Sequence, residues 1–190
     1  MEEKMDLRTR KTYLALHNAF TELIEEKRFD ELTVNELCDR AMIRRTTFYK
    51  HFADKYEYFT FYIREMVSTF QDQLAPDVME GNANAYFLHM ARELLRFSHL
   101  HEQIVTNIKN SSMFPLLLSI LLDQLTEDAV MILRRASPKL AKDMEKLKAT
   151  AAFYAGGVLS CFFRLMPEEG SDREALFLKL IEEFANRMID

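Results

Sequence analysis

Apolar side chains recur at three- and four-residue steps along most of this chain, the spacing that keeps them on one face of an α-helix. The clearest stripe predicts a helix from about Thr9 to Glu26 and consists of Tyr13, Leu16, Phe20, Leu23 and Ile24. The same reasoning predicts eight further helices and no strand, so we expect an all-α fold. The further predicted ranges are Val34 to Ala41, Arg44 to about Phe52, Asp54 to about Leu74, Asn84 to Ser98, His101 to Lys109, Phe114 to Arg135, a helix that opens at Ser137-Pro138, and Ser171 to the C-terminus.

Polar residues mark where two of these helices begin. Thr33 and Glu36 have the spacing of a capping box, in which each side chain bonds the backbone of the other. Asp54 stands directly before the long fourth helix, where its carboxylate can accept backbone N–H groups. Three helices with a tight turn between the second and third form a helix-turn-helix arrangement. We therefore expect a DNA-binding domain in residues 1–53, and a C-terminal helical domain in residues 54–190 that begins with the long linking helix.

The third predicted helix carries the most informative chemistry. Its inner face is apolar, with Ile43, Phe48 and Phe52, and the rest is cationic or hydroxyl-bearing with a single acid nearby, Asp54. Such side chains hold phosphates and probe base edges in the major groove of DNA. A solvated basic helix face is the alternative interpretation. The polar set comprises Arg44, Arg45, Thr46, Thr47, Tyr49, Lys50, His51 and Lys55.

The composition narrows the possible functions. With 48% hydrophobic and 29% charged residues, the 190-residue chain is globular in character. Its net charge of −5 does not fit a protein that coats nucleic acid without specificity. DNA binding therefore requires a local basic patch, which the third helix offers.

The same sequence favours a cytoplasmic protein. Cys38 and Cys161 are far apart and form no Cys-x-x-Cys pair, so we expect reduced, buried thiols. The charged start of the chain lacks the apolar stretch of a signal peptide. The longest uncharged run, Ala149 to Phe163, is shorter than the roughly 20 residues that span a bilayer. We expect no membrane partner.

The run Thr47-Phe48-Tyr49-Lys50-His51-Phe52, followed by Lys55, resembles the T-(L/F)-Y-x-H-F-x-x-K signature of the TetR/AcrR family of bacterial transcriptional regulators. The resemblance covers about Thr9 to Phe59. It implies a regulator that binds a palindromic, double-stranded operator as a homodimer, released by a small apolar or aromatic effector. It also implies that Thr33, Tyr49, His51 and Lys55 contact phosphates. The residues implied to face base edges are Arg44, Arg45, Thr46, Thr47 and Lys50.

Two positions depart from the family pattern. Met42 stands where the turn usually has Gly, so we expect the turn to adopt a different conformation. Arg44 stands where a polar helix cap is usual, and its guanidinium cannot accept a backbone N–H. These departures keep open a second interpretation, a helical coactivator or adaptor that acts mainly through protein partners.

The C-terminal helices carry two further predictions. In the family they enclose a ligand pocket, for which the apolar candidates are Phe87, Met90, Leu94, Met113, Phe114, Leu117 and Tyr154. Small residues in the run from Ala149 to Phe163 suggest close helix packing in a four-helix dimer interface. Ordinary core packing is the alternative for both sets. The interface candidates are Ala152, Ala155, Gly156, Leu159, Phe177 and Leu180.

Enzymatic function receives little support. The chain has no Gly-rich phosphate loop, no G-x-S-x-G and no H-E-x-x-H, so we expect no catalytic residue and no cofactor. His89, His99, His101 and Glu102 are conceivable metal ligands. His99 and His101, however, are two residues apart and do not share a helix face, so we expect no metal site.

Overall fold

The computed structural model describes residues 7–72, 83–165 and 171–189. These residues form nine α-helices, two short 3₁₀ helices and no strand, which confirms the all-α prediction. The α-helices are α1 (Leu7–Glu26), α2 (Val34–Arg40), α3 (Arg45–Phe48), α4 (Lys55–Asp72), α5 (Ala83–Leu100), α6 (Glu102–Lys109), α7 (Phe114–Ala136), α8 (Met144–Leu165) and α9 (Ser171–Ile189). The 3₁₀ helices are Phe29–Glu31 and Leu140–Lys142.

One helix start differs from the prediction. The helix expected to open at Ser137-Pro138 begins only at Met144. The Ser137 hydroxyl instead accepts the N–H of Leu140 at 3.4 Å, in the turn that leads into the second 3₁₀ helix. Asp143 then caps α8, because its Oδ1 accepts the N–H of Lys146 at 3.0 Å. Two successive polar caps therefore divide what the sequence pattern suggested was one helix. The predicted end of α4 near Leu74 lies outside the described residues.

The chain divides into two compact units. The first contains the residues up to Met66 together with His101–Leu117, and the second contains Val67–Leu100 and the residues from Leu118 onward. The sequence predicts a division by function, into a DNA-binding domain before residue 54 and a second domain from residue 54 onward. That functional division stays a prediction. In the first unit, aromatic side chains from α1, the first 3₁₀ helix, α3 and α4 fill the core. The largest of these, each less than 2% exposed, are Phe20, Phe29, Phe48, Tyr58 and Phe59.

Polar side chains fix the segment 101–117 within the first unit. The buried amide of Asn107 in α6 donates to the carbonyl oxygens of Ile24 at 2.7 Å and Glu25 at 3.3 Å. Those carbonyls belong to the last turn of α1, which has no intrahelical partners for them. The N–H of Ser112 donates to both carboxylate oxygens of Asp30, at 3.2 and 3.1 Å. Asn107 and Ser112 therefore stabilise the end of α1 and the connector that follows it.

The second unit has its own core, formed by α5, α7, α8 and α9. Tyr86 lies in this core and donates its hydroxyl to the carboxylate of Asp128 at 2.8 Å. At the periphery, His99 near the end of α5 contacts Glu174 in the first turn of α9 at 2.9 Å. Among the described residues, no helix is long and apolar enough to cross a membrane. Within the same residues, no three His, Cys, Asp or Glu side chains form a group that could hold a metal ion.

Candidate nucleic-acid interface

A complete capping box fixes the start of α2. The Thr33 hydroxyl oxygen accepts the N–H of Glu36 at 3.2 Å, while Glu36 Oε2 accepts the N–H of Thr33 at 2.9 Å. Glu36 also forms an ion pair with Lys27, the residue that follows α1. The hydrogen bond from Lys27, followed by those from Thr33, lowers the pKa of Glu36 to about 2. The box thus holds α2 against α1 as well as starting it.

These contacts bear on the role expected for Thr33. Its hydroxyl also donates to Glu36 Oε2, at 2.8 Å. A phosphate oxygen can only accept hydrogen bonds, and both the hydroxyl and the N–H of Thr33 are already directed to Glu36. In this arrangement Thr33 positions α2, and its predicted phosphate contact requires that the box open.

The turn after α2 keeps the conformation that glycine normally provides, so the expectation that Met42 diverts it is wrong. Met42 has a φ of 53°, in the left-handed region. Its N–H donates to Asp39 at 3.2 Å, and the N–H of Ile43 donates to Cys38 at 3.0 Å. This is the pair of hydrogen bonds of a Schellman motif. They hold Met42 in a conformation that costs a non-glycine residue about 1–2 kcal/mol.

Helix α3 presents opposite faces to the interior and to solvent. It is shorter than predicted, Arg45–Phe48, but the backbone continues to turn through Phe52, whose N–H donates to Phe48 at 3.0 Å. Phe48 and Phe52, four residues apart, are buried at 0% and 5% exposure. Their rings contact Tyr58 of α4, with centroids 6.0 and 5.0 Å away. This aromatic contact fixes the orientation of α3.

The opposite face consists of polar side chains that point to solvent. Arg45 and Tyr49 are four residues apart, as are Thr46 and Lys50, so the two pairs form adjacent rows. All four are exposed, and Arg44 at the N-cap of α3 is exposed as well. Thr47 is half-buried. The structure therefore brings together most of the side chains that the sequence predicted would face base edges.

One neighbour of this face was not anticipated. Nη1 of Arg45 donates to Oδ1 of Asn35, the second residue of α2, at 3.2 Å. The two residues are ten positions apart and meet only because the turn folds α3 back toward α2. No local sequence pattern indicates such a contact.

His51 contacts the first helix. Its Nδ1 lies 3.4 Å from the hydroxyl of Tyr13, and the two rings meet edge to face with centroids 5.3 Å apart. His51 is half-buried. The ring of Tyr13 thus supports one side of the imidazole, which remains partly accessible to solvent.

The ammonium group of Lys55 is hydrogen-bonded to backbone carbonyl groups of the same chain. It donates to the carbonyl oxygens of Phe29, Asp30 and Leu32 at 3.1, 3.1 and 2.7 Å. It also lies 4.7 Å from the centroid of the Phe29 ring. Burial lowers the pKa of Lys55, and the charge of Asp30 opposes that shift. An ammonium has three donors, and three carbonyls take them. This geometry assigns Lys55 to holding the connector, in place of the predicted phosphate contact.

In the second unit, an apolar groove of about 190 Å³ lies between α8 and α9. It brings together Phe87 and Tyr154 of the predicted pocket, whose rings stack with centroids 6.3 Å apart. Met90 and Leu94 are half-buried against the core of this unit instead. Met113, Phe114 and Leu117 belong to the first unit, where Met113 and Leu117 are buried.

The predicted dimer-interface residues divide into two groups. Ala155, Leu159 and Phe177 are at most 4% exposed within the single chain, so they are core residues and the interface prediction is wrong for them. Ala152 is exposed, while Gly156 and Leu180 are half-exposed. The small residues of α8 admit close packing within the chain; Gly156, for example, faces Leu122 of α7.

The sequence did not indicate which large apolar side chains of α8 and α9 reach solvent. They include Phe153 at 75%, Leu176 at 46% and Phe184 at 45% exposure. Phe153 and Phe184 line the groove together with Gly157 and Leu180. The four-residue spacing of Leu176, Leu180 and Phe184 is the only sequence signal that could have indicated this face of α9.

Known proteins share features with this chain. Residues 18–59 match the model of the bacterial regulatory proteins of the tetR family. Over 95 residues the chain is 30% identical to the uncharacterized HTH-type transcriptional regulator YxbF of Bacillus subtilis (strain 168). This match covers 50% of the chain but only 24% of YxbF, so the chain matches about a quarter of that relative.

A solved structure, the dihydroxyacetone kinase operon activator DhaS, aligns with a TM-score of 0.49 and 15% identity. The alignment covers 94% of this chain and 92% of DhaS. The similarity to the tetR family lies in residues 18–59, which contain the capped α2, the turn and the outward-facing α3. Residues 18–59 therefore form a helix-turn-helix that matches the one in the bacterial regulatory proteins of the tetR family.

Proposed function

We propose that the protein recognises a specific operator sequence in double-stranded DNA by inserting α3 into the major groove. The observation that carries this proposal is the solvent-facing side of α3, with Arg45, Thr46, Tyr49 and Lys50 on a scaffold fixed by Phe48. Cations and hydroxyls of this kind read base edges and hold phosphates. As a bacterial regulator, it would act in the cytoplasm, where the chromosome lies.

The residues of the face have different proposed roles. Arg44, Arg45, Thr46 and Lys50 contact base edges, and the half-buried Thr47 contributes at the margin. Tyr49 and His51 contact phosphates, as the family resemblance implies; Tyr49 is exposed, and His51 is half-buried beside Tyr13. Thr33 and Lys55 act indirectly, by fixing α2 and the connector. An Arg bidentate to guanine contributes about 1–3 kcal/mol of discrimination against other bases.

We further propose that two copies bind a palindromic operator, with one α3 per half-site about 34 Å apart. A single recognition helix reads only one half-site. The support for a second copy is the exposed apolar surface around the groove, with Phe153, Leu180 and Phe184. An exposed patch with two large aromatic rings marks an interaction site. In a two-fold dimer the same surface serves both partners.

The groove fits a protein partner better than an effector. Ligand pockets are usually about 300–1,000 Å³ and enclose most of their ligand, whereas this groove measures about 190 Å³ and opens to solvent at Phe153. We propose that a small apolar or aromatic effector binds elsewhere in the C-terminal helices and releases the DNA. Release requires that the effector bind the DNA-free state more tightly. Calorimetric titration of such compounds, with and without operator, tests this difference.

Selection from a random pool of duplex DNA is the decisive experiment. We expect enrichment of a two-fold symmetric consensus, with positions that change when Arg45 is replaced by Ala. The adaptor hypothesis predicts no enrichment. Its motivation was the substituted turn at Met42 and Arg44; the turn retains its usual hydrogen bonds, and Arg44 forms no side-chain cap.

A further inference from the structure

We propose that Asn35 is a positioning residue for Arg45, and that it raises sequence discrimination through Arg45 without reading a base itself. The proposal rests on the proposed function of α3 as the recognition helix. Its observation is the hydrogen bond from Arg45 Nη1 to Asn35 Oδ1 at 3.2 Å.

Both ends of this contact are anchored. Asn35 lies between Thr33 and Glu36, whose reciprocal hydrogen bonds fix the first turn of α2. Arg45 is the first residue of α3, directly after the Schellman turn at Met42. Both side chains are exposed, so the hydrogen bond to Asn35, rather than burial, restrains the Arg45 guanidinium. An otherwise freely rotating side chain is thus held over the outer face of the motif.

The geometry leaves the reading capacity of Arg45 intact. A guanidinium has five N–H donors in a planar fork, and the contact with Asn35 uses one on Nη1. Nε and Nη2 remain for the O6 and N7 acceptors of guanine. A neutral amide also restrains Arg45 without cancelling its charge, whereas an Asp at this position would compete with the DNA for the cation and repel phosphates.

The expected gain in operator affinity arises because the Arg45 side chain is ordered before it binds DNA. An unrestrained long side chain loses rotamer freedom when it engages DNA, and earlier restraint lowers this cost. For one side chain this corresponds to about a threefold to tenfold difference in affinity. The gain appears only at sites where Arg45 engages guanine, because a phosphate contact tolerates many orientations.

A double-mutant cycle tests the proposal. Wild-type protein, Asn35→Ala, Arg45→Ala and the double variant are titrated with the selected operator and with a scrambled duplex at one salt concentration. We expect Asn35→Ala to weaken operator binding by about threefold to tenfold and to leave scrambled binding unchanged. In the Arg45→Ala background the same change should have no further effect. Asn18→Ala, an exposed amide on α1, is the matched control and should match wild type.

Other results overturn the proposal in distinguishable ways. An undiminished effect of Asn35→Ala in the Arg45→Ala background means that Asn35 contacts DNA directly. Equal losses on both duplexes, with a lower urea midpoint, mean a structural role in α2. If Arg45→Ala binds the operator as well as wild type, Arg45 does not contribute to recognition and Asn35 cannot act through it. That result overturns this inference but leaves α3 as the proposed recognition helix. Wild-type protein that binds both duplexes equally overturns the proposed function and this inference with it.

Discussion

The ammonium of Lys55, the first residue of α4, donates a hydrogen bond to the carbonyl oxygen of Leu32 at 2.7 Å. Leu32 ends the connector between α1 and α2, so this bond joins the start of α4 to the chain segment that leads into the helix-turn-helix. Two further carbonyls of the same connector share the ammonium. Lys55, a residue of the DNA-binding signature, thus stabilises the connector that precedes the helix-turn-helix.

Lys55→Met is therefore expected to lower stability more than it alters the DNA contacts. Leaving partly buried carbonyls unsatisfied costs about 1–3 kcal/mol. The salt dependence of DNA affinity should keep its slope, because a lost phosphate contact would reduce that slope by about 1. Lys50→Met, at an exposed position just after α3, is the matched control and should weaken operator binding without lowering stability. Urea unfolding and anisotropy titrations at several salt concentrations measure both. A reduced slope with unchanged stability for Lys55→Met would show that Lys55 contacts phosphate.

Met42→Gly is expected to stabilise the protein. The left-handed φ of 53° is unfavourable for methionine by about 1–2 kcal/mol. Glycine relieves this cost but loses about 0.5–1 kcal/mol through the entropy of the unfolded chain, which leaves a net gain of roughly 0.5–1 kcal/mol. For a chain of this size that raises the melting temperature by about 1–4 °C. Calorimetry measures the shift.

Met42→Ala provides the control for that gain. Alanine removes the exposed side chain but keeps the Cβ, so the backbone strain persists and the melting temperature should stay near that of wild type. If Ala and Gly stabilise the protein equally, the exposed Met42 side chain, rather than its backbone, is the source of the cost.

The capping box at Glu36 predicts a pH-dependent contribution to stability. Its folded pKa of about 2 lies below the ordinary value of 4.5. A depressed pKa stabilises the fold above the unfolded value and loses that contribution as pH falls from about 4.5 toward 2. Glu36→Gln keeps an acceptor for Thr33 but removes the charge opposite Lys27. The stability difference between wild type and Glu36→Gln should therefore shrink between pH 5 and pH 3, measured by urea unfolding. A difference that stays constant with pH would exclude the Glu36 charge as its source.

Phe153→Glu is expected to separate the two copies of the proposed dimer. A carboxylate on the exposed apolar surface would be buried without a partner on association, which is strongly unfavourable. Sedimentation at micromolar concentration should give a dimer for wild type and a monomer for the variant. Met144→Glu, also at an exposed apolar position of α8 but outside the groove, should remain dimeric. A wild-type monomer would remove the dimer from the proposed function, and a dimeric Phe153→Glu would move the interface elsewhere.

The sequence by itself determined the features that depend on neighbours a few residues apart. Helical periodicity located the helices, and the Thr33 box and the Asp54 cap formed as predicted, with Asp54 Oδ1 accepting the N–H groups of Tyr56 and Glu57 at 2.8 Å. Buried Phe48 and Phe52 also followed from their spacing. These are short-range consequences of backbone geometry, which a local pattern contains.

The tertiary structure decided what each polar or apolar side chain meets. Lys55 finds carbonyls 23 to 26 residues earlier in the chain, and Arg45 finds Asn35 across the turn. Ala151 and Ala155 of α8 turned inward, while Ala152 and Phe153 of the same helix remained at the surface. A helical pattern gives the width of an apolar face but not the partner that covers it, because that partner comes from a distant part of the chain. The sequence thus determined which polar side chains α3 carries, and the packing of α1, α2 and α4 around α3 decided which of them face solvent.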